Sequence, residues 1–101
     1  MKILLVCYGG LSTGIMKMKL EEQAKLDGYN DVVINAAAIS EVESNLGDYD
    51  IFLLGPQIRY AVDDFKLKAN GKPVLVISAP DFGMMRGDNV WKQVVEALKT
   101  K

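Results

Sequence analysis

Four short apolar runs separated by stretches with helical spacing constrain this chain more than any other feature. The runs fall at residues 2–6, 31–36, 50–54 and 73–78. Each is too short for a typical buried helix and fits a buried strand. Between the first two, residues 15–26 carry apolar rows at Leu11/Ile15/Met18 and Met16/Leu20/Ala24, and Gly28 follows as a stop. After the third, Pro56 suits a first helical turn, and Ile58, Ala61, Val62, Phe65 and Ala69 follow at helical spacing. After the fourth, Asp88 is placed to cap a helix with a stripe at Val90, Trp91, Val94, Val95 and Leu98. Ser40-Glu41-Val42-Glu43 has capping-box spacing and predicts a short helix before Gly47.

Strands alternating with helices require right-handed crossovers, hence a parallel sheet covered on both faces. The expected fold is α/β, with four parallel strands in the order 2-1-3-4, the flavodoxin-like winding. In such sheets ligands gather at the carboxyl ends of the strands, where the winding reverses. That reversal lies beside strand 1, which ends at Cys7. At 101 residues, half of them apolar, the chain is expected to form one domain spanning 1–101.

Composition removes whole classes of function. Twelve basic residues against 13 acidic ones leave no basic excess for a nucleic-acid partner. No apolar run approaches the roughly 20 residues that span a bilayer. The start is too short to hold a signal peptide, so the chain is expected to be cytoplasmic. With no histidine and one cysteine, there is neither an imidazole base nor a disulfide nor a thiolate metal cluster. No metal or cofactor is expected. The possible nucleophiles are few.

The segment after strand 1 is rich in anion-binding features. Gly9, Gly10 and Gly14 allow tight turns that point N–H groups inward, and Ser12 and Thr13 add hydroxyls that also cap the following helix. With Tyr8 and Leu11 they form an expected phosphate cradle over residues 8–14, facing the positive end of a helix. The same field is expected to lower the Cys7 thiol pKa and activate it. A lone cysteine is more often an inert buried hydrophobe. Its place at the mouth of this turn favours a phosphocysteine instead.

Cys7-x-x-Gly10-x-Ser12-Thr13 resembles the phosphorylation loop of the lactose/cellobiose-type IIB subunits of the phosphoenolpyruvate-dependent sugar phosphotransferase system. The resemblance extends to Leu53-Leu54-Gly55-Pro56-Gln57-Ile58 and to the Phe82-Gly83 pair. It implies a phosphotransferase in which Cys7 accepts a phosphoryl group from phosphohistidine of a IIA protein. Cys7 would then pass it to a sugar during uptake through a membrane IIC transporter. It also implies a monomer that the IIC partner recruits to the inner face of the membrane.

Two other readings stay open at this level. A low-molecular-weight tyrosine phosphatase also starts its phosphate loop with a cysteine after strand 1. It needs an arginine six residues on, where this chain has Thr13. Asp81 after Pro80 is superficially similar to a phosphatase acid loop. A flavodoxin-like flavin carrier would use the same turn, with Tyr8, Tyr60 and Phe82 stacking on the ring. Met84, Phe82 or Tyr8 is further expected to contribute to an apolar patch rimming the thiol.

Overall fold

The computed structural model of the chain describes residues 1–8, 11–41 and 46–99, with backbone alone at 11, 12 and 41. Four strands, β1 (Lys2–Cys7), β2 (Val33–Ala38), β3 (Ile51–Leu54) and β4 (Val74–Val76), form one sheet. All are parallel, in the order β2-β1-β3-β4. Four α-helices cover the sheet: α1 (Leu11–Leu26), α2 (Val62–Lys68), α3 (Ala79–Gly83) and α4 (Gly87–Lys99). The expected winding is the one observed.

The pleat of β1 divides the interior in two. Alternate residues of a strand face opposite sides. Ile3, Leu5 and Cys7 join Met16, Leu20 and Ala24 of α1 and Val90, Trp91 and Val94 of α4. Leu4 and Val6 join Phe52, Leu54, Ile58, Ala61, Phe65 and Ala69 on the other face. Each fully buried aliphatic side chain among them stabilises the fold by about 1.5–3 kcal/mol relative to exposure. The central strand is therefore pinned from both sides, and with it the position of Cys7.

On α1 the row Met16/Leu20/Ala24 is buried, while Ile15 and Met18 stand in solvent. A helix laid on a sheet hides one stripe, so only one of the two apolar rows reaches the core. Trp91 is core, as its place on the stripe implies. Its Nε1 donates to Asp27 Oδ2 at 3.1 Å, and its ring meets that of Tyr29 edge-on at 5.5 Å. Gly87 lets α4 cross α1 closely, since a Cβ there would stand 2.6 Å from Lys19 Cβ and 3.0 Å from the Lys19 carbonyl carbon.

Several local expectations change. The segment from Pro56 is a 3-10 stretch (Pro56–Ala61) before α2, because Ile58 adopts a non-helical φ of -119° and ψ of 24°. Its apolar spacing still buries Ile58, Ala61, Phe65 and Ala69. A 3-10 turn occupies Ile39–Glu41, whereas Val42 and Glu43 of the capping-box sequence lie outside the described residues. The stretch between β4 and α4 contains α3, for which the sequence shows no helical spacing. Ser78 caps it by accepting from the Asp81 amide at 3.2 Å, and Pro80 fits its first turn.

Candidate functional site

Cys7 ends the central strand, where the order of the sheet reverses between β1 and β3. It is the chain's sole thiol, and it is 3% exposed. The end of β3 closes over it. The Gly55 amide donates to the Val6 carbonyl at 2.8 Å, drawing the chain across the sulfur. A Cβ at Gly55 would lie 2.8 Å from Cys7 Sγ and 2.9 Å from Gln57 Oε1. Gly55 has an ordinary extended conformation, φ -64° and ψ 154°. Space rather than backbone freedom therefore calls for glycine at this position.

The other side of the site is the start of α1. Leu11, Ser12, Thr13 and Gly14 belong to its first turn, so the helix begins earlier than the apolar rows imply. Amides of a first helical turn lack intrahelical acceptors and carry the positive end of the helix dipole. Thr13 is buried, and among the described residues no group is aligned for a full hydrogen bond with its Oγ1. That hydroxyl is nonetheless close enough to Cys7 to favour the thiolate. A buried donor without a committed partner, beside the one thiol, is free for an incoming anion. Gly14 has open space around it and no left-handed backbone, so neither packing nor conformation demands glycine there. Gly9 and Gly10 lie outside the described residues.

The thiol itself departs from expectation. Burial pushes Cys7 above its ordinary value of 9.0; the Thr13 hydroxyl and the Gly55 amide pull the other way without cancelling it. The helix field alone implied the opposite sign, because it ignores how completely the chain closes over the sulfur. Burial thus favours the protonated form of the Cys7 thiol. Alkylation by iodoacetamide is therefore expected to be slower at neutral pH than for an ordinary exposed thiol, and its rise with pH to level off only at more alkaline pH. Mass spectrometry over a pH series measures this, and fast labelling at neutral pH would reveal a thiolate that this burial forbids. The linkage has a matching sign. The folded pKa is raised, so this contribution to stability is intact below the unfolded value and declines as pH rises past it.

Around this centre the remaining candidates separate. Tyr8 is exposed, and Tyr60, on the 3-10 stretch, is exposed as well. The neighbouring Tyr8 hydroxyl raises the Tyr60 phenol above its ordinary value. Phe82 is only 5% exposed and belongs to the core, so it gives no apolar rim and no platform for a flavin. Met85 packs against that core at a φ of 51°, whereas Met84 is exposed and its Sδ accepts from Arg86 Nη2 at 3.3 Å. Asp81 is buried and committed to α4, its carboxylate accepting from Asn89 Nδ2 at 3.0 Å and Gln93 Nε2 at 3.3 Å. The Asn89 bond, aided by Ser78 and Gln93, holds it below the usual carboxylate range against the opposing effect of desolvation. It fastens α3 to α4 and does not act as a phosphatase acid.

Gly55 and Gln57 are the site residues that residue-level reasoning missed. The strand order alone held the signal, since it sets the end of strand 3 beside the end of strand 1. Two surface grooves, of about 480 Å³ and 500 Å³, flank α4, and neither includes Cys7. No three potential metal ligands cluster among the described residues.

Comparison with known proteins agrees with this geometry. Residues 2–93 match the family model described as the lactose/cellobiose-specific IIB subunit of the PTS system. The chain is 35% identical to the galactose-specific EIIB component of Lactococcus lactis subsp. cremoris over 95 residues, covering 87% of each chain. It is likewise 35% identical, with the same coverage, to the cellobiose-specific EIIB component of Lactococcus lactis subsp. lactis. The solution structure of a cellobiose-specific IIB protein from Borrelia burgdorferi superposes with a TM-score of 0.78 at 32% identity, covering 100% of this chain and 94% of that one. The fold also matches a lactose-specific IIB domain from Streptococcus pneumoniae, with a TM-score of 0.83 at 22% identity over 96% of each chain.

Proposed function

Because the chain belongs to the lactose/cellobiose-specific IIB family of the sugar phosphotransferase system, we propose that it carries a phosphoryl group on Cys7. The group comes from phosphohistidine of a IIA protein and goes to a sugar held by a IIC membrane transporter. The observation that carries this reading is the Thr13 hydroxyl, buried beside the sole thiol at the first turn of α1 and without an aligned hydrogen-bond partner among the described residues.

The chemistry follows from that arrangement. The Cys7 sulfur attacks phosphorus in line; the S–P bond forms as the N–P bond of the donor breaks. The thiol proton leaves on the departing imidazole. A guarded thiol suits this order of events, because it keeps its proton until a donor arrives with a base to take it. The phosphoryl oxygens then lie against the amides of the α1 first turn and the Thr13 hydroxyl, with residues 8–14 as the cradle. In the second transfer a sugar hydroxyl attacks, the S–P bond breaks, and the hydroxyl proton returns to sulfur. Neither step uses a metal or cofactor.

The sugar is proposed to be a hexose or β-linked oligosaccharide of the kind named for the relatives. The chain acts as one IIB domain over 1–101, as a monomer in the cytoplasm that the IIC partner draws to the membrane. No helix among the described residues is long and apolar enough to cross a bilayer. A carrier must also resist hydrolysis, and Thr13 stands where a phosphatase has its arginine. Turnover of an aryl phosphate is accordingly expected at background, alongside rapid acceptance from phosphorylated IIA. Robust hydrolysis without acceptance would replace the carrier reading by a phosphatase.

A further inference from the structure

The turn after β3 brings a side-chain amide to the sulfur. Pro56 has a fixed φ, and the Ile58 amide donates to the Gly55 carbonyl at 3.1 Å, which closes a tight turn over residues 55–58. Ile58 is fully buried and anchors that turn to the interior. Gln57 is exposed, yet its Oε1 reaches back over Gly55. A Cβ added at Gly55 would stand 2.9 Å from that oxygen and 2.8 Å from Cys7 Sγ. The sulfur and the amide therefore border one small space that glycine leaves open. They can be no farther apart than those two distances laid end to end.

A phosphoryl group on Cys7 needs donors around it, and the backbone of this turn has few to give. The Gly55 amide already donates to the Val6 carbonyl at 2.8 Å, the Ile58 amide is used within the turn, and Pro56 has no N–H. The Gln57 side chain supplies what they lack. A primary amide carries one acceptor oxygen and two N–H donors. Its terminal torsion is broad and roughly two-fold, so a half-turn sets Nε2 where Oε1 stands. The oxygen borders the shared space beside a thiol, and the NH2 can face the oxygens of a phosphoryl group. Neither state brings a charge into the site. A neutral donor holds the dianion without the arginine clamp that speeds its transfer to water in a phosphatase. Thr13, whose buried Oγ1 lacks an aligned partner among the described residues, offers a second neutral donor.

We propose that Gln57 is a phosphoryl-binding residue: its side-chain amide donates to the phosphoryl oxygens on Cys7 and closes the β3 side of the cradle. The inference rests on the reading of Cys7 as the phosphoryl carrier, and it extends the cradle beyond residues 8–14.

Gln57→Met keeps the length of the side chain and removes both donors. Gln57→Glu keeps its shape, removes the donors and adds a negative charge. Each protein is mixed with phosphorylated IIA, and the partition of the phosphoryl group between IIA and Cys7 is read at equilibrium by phosphorus NMR. Gln57→Met is expected to shift that partition roughly tenfold toward IIA, the worth of a hydrogen bond to a charged acceptor that water still reaches. Gln57→Glu shifts it further, because the carboxylate repels the dianion. Melting midpoints stay at the wild-type value, since the side chain is exposed. In proton–nitrogen correlation spectra of the wild-type protein, phosphorylation moves the Gln57 NH2 pair more than those of Gln23 and Gln93, on α1 and α4. An unchanged partition in Gln57→Met, or a Gln57 NH2 pair that stays in place on phosphorylation, would overturn the proposal and leave the carrier reading intact. Wild-type protein that takes no phosphoryl group on Cys7 would instead remove the carrier reading, and the role of Gln57 with it.

Discussion

Cys7→Ser removes stable phosphoryl acceptance, with a loss on the order of a thousandfold or more in rate. The oxygen replaces sulfur at the same place on β1, but a hydroxyl ionises far less readily and no histidine in the chain can assist it. The fold should survive. An unsatisfied buried hydroxyl costs about 1–3 kcal/mol, and the Gly55 amide and Thr13 hydroxyl beside the site offer partners that lessen it. Acceptance from phosphorylated IIA and a urea melt measured together separate lost chemistry from lost structure. A serine variant that accepts the group at the wild-type rate would place the nucleophile elsewhere.

Gly55→Ala should be the most damaging change outside Cys7 itself. The new methyl would sit 2.8 Å from Cys7 Sγ and 2.9 Å from Gln57 Oε1. Gln57 can swing its amide away. The sulfur cannot, because it ends a short side chain on the central strand. Overpacking of this kind costs about 1–3 kcal/mol, and a displacement of the reacting atom near 1 Å costs transfer up to roughly a hundredfold. Backbone strain is no part of the effect, since Gly55 has an extended conformation open to alanine. Gly14→Ala provides the contrast, with free space in the first turn of α1 and a gain in helix propensity of up to about 1 kcal/mol. A Gly55→Ala protein with normal acceptance and stability would show that the chain does not press on the sulfur.

The sheet was legible in the sequence because each strand is a short apolar run and each crossover has helical spacing. Strand order followed from handedness, and the place of Cys7 followed from strand order. The misreadings have a common origin in contacts between distant segments. Ile58, Ala61, Val62, Phe65 and Ala69 have the spacing of one helix, yet the chain bends at Ile58, so that only the part from Val62 is α-helical while Ile58 and Ala61 keep their burial on the 3-10 stretch. α3 is too short to show a period, so only its start signal at Ser78 and Pro80 marks it in the sequence. Phe82 is a rim candidate by its place just before Met84 and Met85 near the sheet edge of Cys7, whereas its ring belongs to the core with Val90 and Trp91 of α4.

The site shows the same division. Its local part, a thiol leading into glycines, hydroxyls and a helix start, is written in consecutive residues from Cys7 to Gly14. Its non-local part is not. Gly55 stands against the sulfur because β3 runs beside β1 and delivers the next stretch to the same edge. That closure also reverses the expected sign of the thiol shift, because burial outweighs the donors around Cys7.

The central claim is that one sulfur carries the phosphoryl group. It is tested most directly by incubating the protein with phosphoenolpyruvate, the general phosphotransferase proteins and a IIA donor, then locating the modification by mass spectrometry. The expected result is a single phosphoryl group on the peptide bearing Cys7, lost when a sugar and its IIC transporter are added. A phosphoryl group on a serine, threonine or tyrosine, or an unmodified Cys7 beside fully phosphorylated IIA, would contradict it.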